Sequence, residues 1–159
     1  MKIRILVIGH LKEAYWKAAE AEYLKRLSPY CQCHIEEVDD LPAPEKASPA
    51  EEAAIKEKEG ERVLAKLKPS DFVCTLDLNK EEPDSIQLAN KMMTMLERGG
   101  SSLTFVIGGS LGLGDSLKKR ANASLSLSRL TFTHQMTRVI LLEQIYRSLK
   151  ILNHEPYHK

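Results

Sequence analysis

The residues best equipped for chemistry gather in the last third of the chain. Ser126-Leu127-Ser128-Arg129-Leu130-Thr131-Phe132-Thr133-His134-Gln135 is dense in hydroxyls and hydrogen-bond donors and holds both an arginine and a histidine. Imidazole titrates near neutrality, so His134 can take or give a proton. Arg138 follows it by four positions, which places both on one helical face. Glu143 and Arg147 are also four apart, in the order that favours an ion pair, and Lys150 follows them. The chain closes on Asn153-His154-Glu155-Pro156-Tyr157-His158-Lys159. Chain ends are usually frayed and polar. This one is stiffened by a proline and carries groups that could stack a base, donate hydrogen bonds and present positive charge.

A second candidate is the glycine loop. Gly99, Gly100, Gly108, Gly109, Gly112 and Gly114 are six of the eight glycines, crowded into sixteen positions. The segment Phe105-Val106-Ile107-Gly108-Gly109-Ser110-Leu111-Gly112-Leu113-Gly114-Asp115 fits no register of the dinucleotide fingerprint. Gly109 and Gly114 have the spacing of a phosphate-binding P-loop, but Asp115 stands where its lysine must be. A carboxylate at a helix start repels phosphate. The loop could still bring backbone groups close to a neutral or zwitterionic ligand, or serve only as a tight turn.

Other chemistries find little support. No Ser-His-Asp order and no HExxH pattern is present. Cys31-Gln32-Cys33-His34 resembles half of a zinc site, but no second ligand pair follows at a suitable spacing. Three cysteines leave an odd count and no disulfide framework, so small buried side chains are the better reading and no metal is expected.

Positioning these groups requires alternating strands and helices. Ile3 to Ile8 is a continuous apolar run, the mark of a strand covered on both faces. Helical spacing runs from Leu11 to Leu27, and a weaker strand covers 32–38. Ser48-Pro49-Ala50-Glu51 combines a capping box with proline at the first helical position, opening a helix to about Lys68. Strands are expected at 71–78, 103–107 and 124–127, and helices at 84–98, 115–121 and 135–152. The Gly99-Gly100 pair stops the helix at 84–98. This alternation predicts an α/β fold, a mostly parallel sheet sandwiched by helices. Ligands in such sheets gather beyond the carboxyl ends of the strands. The loops after 76–78, 107 and 127 are therefore the places to look.

Composition sets the outer limits. The chain has 159 residues, 43% hydrophobic and 28% charged, the profile of one globular domain. No apolar run nears the ~20 residues that span a bilayer, and the apolar N-terminal run is too short for a signal peptide, so a cytoplasmic, membrane-free protein is expected. The net charge of +1 excludes a uniformly basic nucleic-acid coat. That total hides a split. Residues 1–100 carry 15 Lys+Arg against 19 Asp+Glu, and residues 101–159 carry 8 against 3, so −4 is followed by +5. Three of the five histidines also lie in the basic part. A local site for something anionic is one reading of that split, and chance clustering is the other.

Taken in order, several segments resemble the family of ribosomal RNA large subunit methyltransferase H, the small single-domain SPOUT enzymes of bacteria. They are Phe105 to Ser110, Leu127-Ser128, Thr131-Phe132, His134-Gln135, Arg138, Glu143 to Arg147 and the terminal Tyr157-His158-Lys159. Lys2 to Ile5 and Lys56 to Arg62 fit as well, so the likeness covers the whole chain. It implies one domain over 1–159 with a deep C-terminal trefoil knot near 103–159. It implies a homodimer that uses S-adenosylmethionine to methylate N3 of a pseudouridine in a 23S rRNA stem-loop on the ribosome. Carried over by position, the cofactor pocket would be Leu76, Gly108, Leu127, Ser128, Arg129, Leu130, Thr131 and Phe132. Arg147, Tyr157, His158 and His134 would form the catalytic constellation. Thr133 stands where the family usually has proline, which restores an N–H and frees φ. The rivals are a ribosome-binding factor without catalysis and a SPOUT methyltransferase acting on tRNA.

Overall fold

The computed structural model describes residues 1–159. The apolar run near the N-terminus becomes strand β1 (Lys2–Ile8), paired in parallel with β2 (Gln32–Val38) on one side and β4 (Ser102–Ile107) on the other. Strand β3 (Val73–Glu81) lies beyond β4 and pairs in parallel with β5 (Ala123–Leu125) at the edge. All five strands are parallel, in the order β2-β1-β4-β3-β5. β4 thus inserts between β1 and β3, against the direction in which the chain first advanced.

Alternation along the strands divides the core in two. Ile3, Ile5 and Val7 join Leu103, Phe105 and Ile107 beneath helices α1 (Ala14–Leu27), α3 (Ser85–Arg98) and α5 (His134–Leu152). Leu6, Ile8 and Val106 face the other way and meet Val63 of α2 (Pro49–Leu64) and Leu117 of α4 (Asp115–Arg120). Period-2 patterning with apolar residues at both parities is what a sheet covered on both faces demands. α5 packs against both α1 and α3. No helix is long and apolar enough to cross a membrane.

The local signals hold, with shifts at the ends. Ser48 Oγ accepts from the Glu51 N–H at 3.2 Å while Glu51 Oε2 accepts from the Ser48 N–H at 2.7 Å, closing the capping box. α2 ends at Leu64 rather than about Lys68, because the next residues tighten into turns with Lys66 N–H bonded to Val63 and Leu67 N–H to Leu64. α1 starts at Ala14, three residues later than the apolar spacing suggests. The last strand stops at Leu125 instead of 127, where the Ser126 N–H still bonds the Glu81 carbonyl at 2.9 Å but its side chain turns back onto β3. Its hydroxyl donates to the Asp77 carbonyl at 2.5 Å and accepts from the Lys80 N–H at 2.9 Å. β3 in turn runs on to Glu81 past an irregularity after Leu76, where Asn79 adopts φ +57°. Asparagine tolerates that left-handed conformation better than most side chains.

Candidate functional site

The carboxyl ends of β3, β4 and β5 open onto one cavity of about 750 Å³. Leu76 and Asp77 come from β3, Ile107 and Gly108 from the end of β4, and Leu127, Ser128 and Leu130 to Thr133 from the loop between β5 and α5. Of the eight pocket residues expected, Leu76, Gly108, Leu127, Ser128, Leu130, Thr131 and Phe132 line this cavity. Arg129 does not; it is exposed on the same loop. Leu130 lines the wall and remains 70% exposed, so a flank of the cavity is apolar surface with little covering it.

The glycine loop is both turn and wall. Gly112 N–H donates to the Gly109 carbonyl at 3.0 Å, and Gly112 adopts φ +92°. A Cβ on Gly108 would stand 3.0 Å from the Gly112 carbonyl carbon and 3.1 Å from Leu113 Cδ2. The absence of a side chain there lets two backbone segments close on the cavity. The loop carries no lysine for phosphate. Instead Glu57 reaches from α2 and accepts from both the N–H and the hydroxyl of Ser116 at the start of α4.

Thr133 opens α5. Its Oγ1 accepts from the Met136 N–H at 3.3 Å, and its φ is −62°. That angle is one proline would also hold, so threonine keeps the backbone path and adds a cap. The cap sets His134 in the cavity wall. Its ring lies against Gly9, where φ is +114° and a Cβ would come within 2.8 Å of His134 Cε1. Nδ1 of His134 is buried without a partner. Burial, and then the positive charge of Arg138, push this imidazole below its ordinary range, so it stays neutral at pH 7.

One turn on, Arg138 is completely buried. It donates to Glu37 Oε1 at 2.6 Å, Glu20 Oε2 at 3.0 Å and the Gly9 carbonyl at 3.3 Å. Burial alone would raise Glu37, but hydrogen bonds from Arg138 and His10 outweigh it and hold the carboxyl below its usual range. His10 bonds Glu37 and Asp39, each at 2.7 Å, and those bonds raise its pKa. Sequence reading found the His134–Arg138 spacing but missed Glu20, Glu37 and His10. No local signal marks them, since their partners lie 27 to 118 residues away.

The other catalytic candidates form a separate cluster on α5. Arg147 Nη2 donates to Glu143 Oε1 at 2.6 Å, and the Tyr157 hydroxyl donates to the same oxygen at 3.1 Å. The Arg147 guanidinium lies 4.7 Å from the Tyr157 ring centre and its Nη1 is 3.4 Å from His158 Nδ1. Tyr146 meets Tyr157 edge-on at 4.9 Å. Lys150 is bound to Glu155, which also accepts from the Tyr30 hydroxyl at 2.6 Å. Lys150 therefore staples the tail to the body. Arg147, Tyr157 and His158 do not line the cavity of their own chain, whereas His134 does. Cys31 is buried and Cys33 half-buried, and burial pushes the Cys33 thiol up to about 12. No three His, Cys, Asp or Glu side chains stand close enough to hold a metal ion.

The family model described as "Predicted SPOUT methyltransferase" matches residues 1–158 of this chain. The chain is 52% identical, over the full length of both sequences, to a protein of Carboxydothermus hydrogenoformans named ribosomal RNA large subunit methyltransferase H. Among solved structures it resembles a methylase family protein from Neisseria gonorrhoeae, with a TM-score of 0.50 at 12% identity over 98% of this chain and 95% of that one. That likeness concerns the fold alone.

Proposed function

Because the chain belongs to the SPOUT methyltransferase family, we propose that it transfers a methyl group from S-adenosylmethionine to N3 of a pseudouridine in a 23S rRNA stem-loop on the assembled ribosome. The observation that carries this is the full-length 52% identity to a named large-subunit rRNA methyltransferase. On this reading one domain spans 1–159, with the family's knot near 103–159, and works in the cytoplasm where ribosomes are.

The cavity suits the cofactor. It has the volume for a nucleoside with an amino-acid arm, a glycine wall whose close backbone packing leaves no room for a Cβ at Gly108, and many backbone and hydroxyl groups with Asp77, Lys56 and Lys118 at its edge rather than a P-loop cradle. Gly108 and the stretch Leu127 to Phe132 would hold adenine and ribose through backbone groups, with Leu76 and Leu130 flanking the base. When bound, S-adenosylmethionine supplies a methyl on a sulfonium, already a strong electrophile, so the protein's main task is in-line positioning. The N3 proton of the acceptor must leave as the N–C bond forms. His134, neutral and at the cavity wall, can accept it, and so can His158. Arg147 remains charged, since its bond to Glu143 raises its pKa further, and it stabilises the developing imide anion.

The separation of the Arg147–Tyr157–His158 cluster from the cavity of its own chain supports a homodimer, with one subunit's tail serving the partner's cavity. Tyr15 of α1 at 66% exposed and Met136 of α5 at 41% offer apolar surface for such an interface. Calorimetry and activity test the assignment together. Stoichiometric S-adenosylmethionine binding is expected in the wild type and in Arg147→Ala and His158→Ala, with methylation down by at least ~100-fold in the former. Absence of cofactor binding would favour a non-catalytic ribosome-binding factor, and wild-type methylation by both variants would remove the tail from the mechanism.

A further inference from the structure

Three charged groups that line the cavity, Lys56, Asp77 and Lys118, are not used by any step above. Asp77 is the single carboxylate among the residues that line it. Its side chain is 15% exposed and its position is fixed from three sides. The main-chain carbonyl accepts the buried Ser126 hydroxyl at 2.5 Å, and Oδ1 accepts the Leu78 N–H at 2.9 Å. Lys118 Nζ pairs with Oδ2 at 3.3 Å, and a carboxylate oxygen that accepts one donor has room for a second. Lys118, whose side chain is 42% exposed, compensates this carboxylate from the solvent side, and in a pocket otherwise lined mainly by Leu, Ile, Gly, Ser and Thr a ligand cation at the same group would add to that stabilisation.

Resting on the reading of the cavity as the S-adenosylmethionine site, we infer that Asp77 binds the α-ammonium group of the cofactor's methionine arm. The ligand carries two cations, the sulfonium and the ammonium. Only the ammonium has N–H donors, three of them, to satisfy a carboxylate oxygen. The sulfonium has none, and its methyl must stay open to the incoming base in line with the breaking C–S bond. A carboxylate packed on the sulfonium would shield that approach. Asp77 is thus a selector for ligands with an amino-acid arm, reading a group remote from the reacting atoms.

Three ligands separate the possibilities by calorimetry on the full-length protein. S-adenosylmethionine has both cations, S-adenosylhomocysteine keeps only the ammonium, and 5′-methylthioadenosine has neither. Asp77→Asn retains the shape and an acceptor for the Leu78 N–H. It should weaken S-adenosylmethionine and S-adenosylhomocysteine alike, by about ten- to a hundredfold. Methylthioadenosine should bind within about twofold of the wild type, which also certifies the fold. Loss confined to S-adenosylmethionine would assign Asp77 to the sulfonium and overturn the inference. Equal loss for all three, or no loss for any, would overturn it too. A wild-type protein that binds none of the three would instead remove the proposed function on which the inference rests.

Discussion

His10 and His134 stand on either side of the Glu37–Arg138 pair and are pushed in opposite directions. His10 is raised by its bonds to Glu37 and Asp39 from an ordinary value of 6.5, while burial and Arg138 lower His134 from the same value. The consequences for stability have opposite signs. The His10 contribution is complete below 6.5 and is lost as pH rises through its folded value. The His134 contribution is complete above 6.5 and is lost as pH falls toward its folded value. Proton NMR should show the two rings titrating on opposite sides of 6.5, and His10→Gln should abolish the alkaline decline in stability. A shared titration near 6.5 would contradict the geometry around Glu37. At Gly9, φ +114° and the 2.8 Å approach to His134 leave no room for a methyl. Gly9→Ala should cost about 1–3 kcal/mol in urea unfolding and move the His134 resonances. An unchanged ring environment would mean that the two residues do not press on one another. The chemistry of His134 was visible from its type and its spacing to Arg138. Its neutrality was not, because that depends on burial under Gly9.

At the scale of elements, α5 is placed by its first turn. The Thr133 cap starts it, and the buried Arg138 ties it to α1 through Glu20, to β2 through Glu37 and to the end of β1 through the Gly9 carbonyl. Removing one partner of a buried charge network leaves the others uncompensated. Arg138→Met should therefore cost about 3–5 kcal/mol, read from the urea midpoint at constant slope. A loss below about 1 kcal/mol would show that α5 is held by apolar packing alone. The elements themselves were legible because their signals are local: the Ser48–Glu51 box, the Gly99-Gly100 stop, the apolar runs at Ile3 to Ile8 and Leu103 to Ile107. The ends that shifted depend on distant partners. β5 stops where Ser126 turns toward Asp77 and Lys80, 46 to 49 residues away, and no window along the chain contains that bond.

For the whole molecule, the charge total of +1 is less informative than its distribution. Of the eight cations in residues 101–159, three lie on α4 and five on the cavity loop, α5 and the tail. The structure divides those candidates between a cavity wall, which includes His134, and the Arg147–Tyr157–His158 cluster, which that cavity does not reach within one chain. Sequence spacing could name both groups but not their separation, since the fold alone decides which faces of α5 meet which strands. A dimer in which tail and cavity come from different subunits resolves the division. It predicts that, at S-adenosylmethionine concentrations too low to fill the Asp77→Asn cavity, mixing a His158→Ala, Arg147→Ala chain with an Asp77→Asn chain restores activity in the heterodimer, where one intact cavity meets one intact tail. No recovery above the parental homodimers would place both groups in the same subunit's site. The most direct test of the account is transfer of labelled methyl from S-adenosylmethionine to intact ribosomes and, separately, to bulk tRNA, followed by mapping of the label. The account predicts about one methyl per large subunit, on N3 of a single 23S rRNA pseudouridine, and none on tRNA. Label on tRNA, or none on ribosomes from cells lacking the modification, would contradict it.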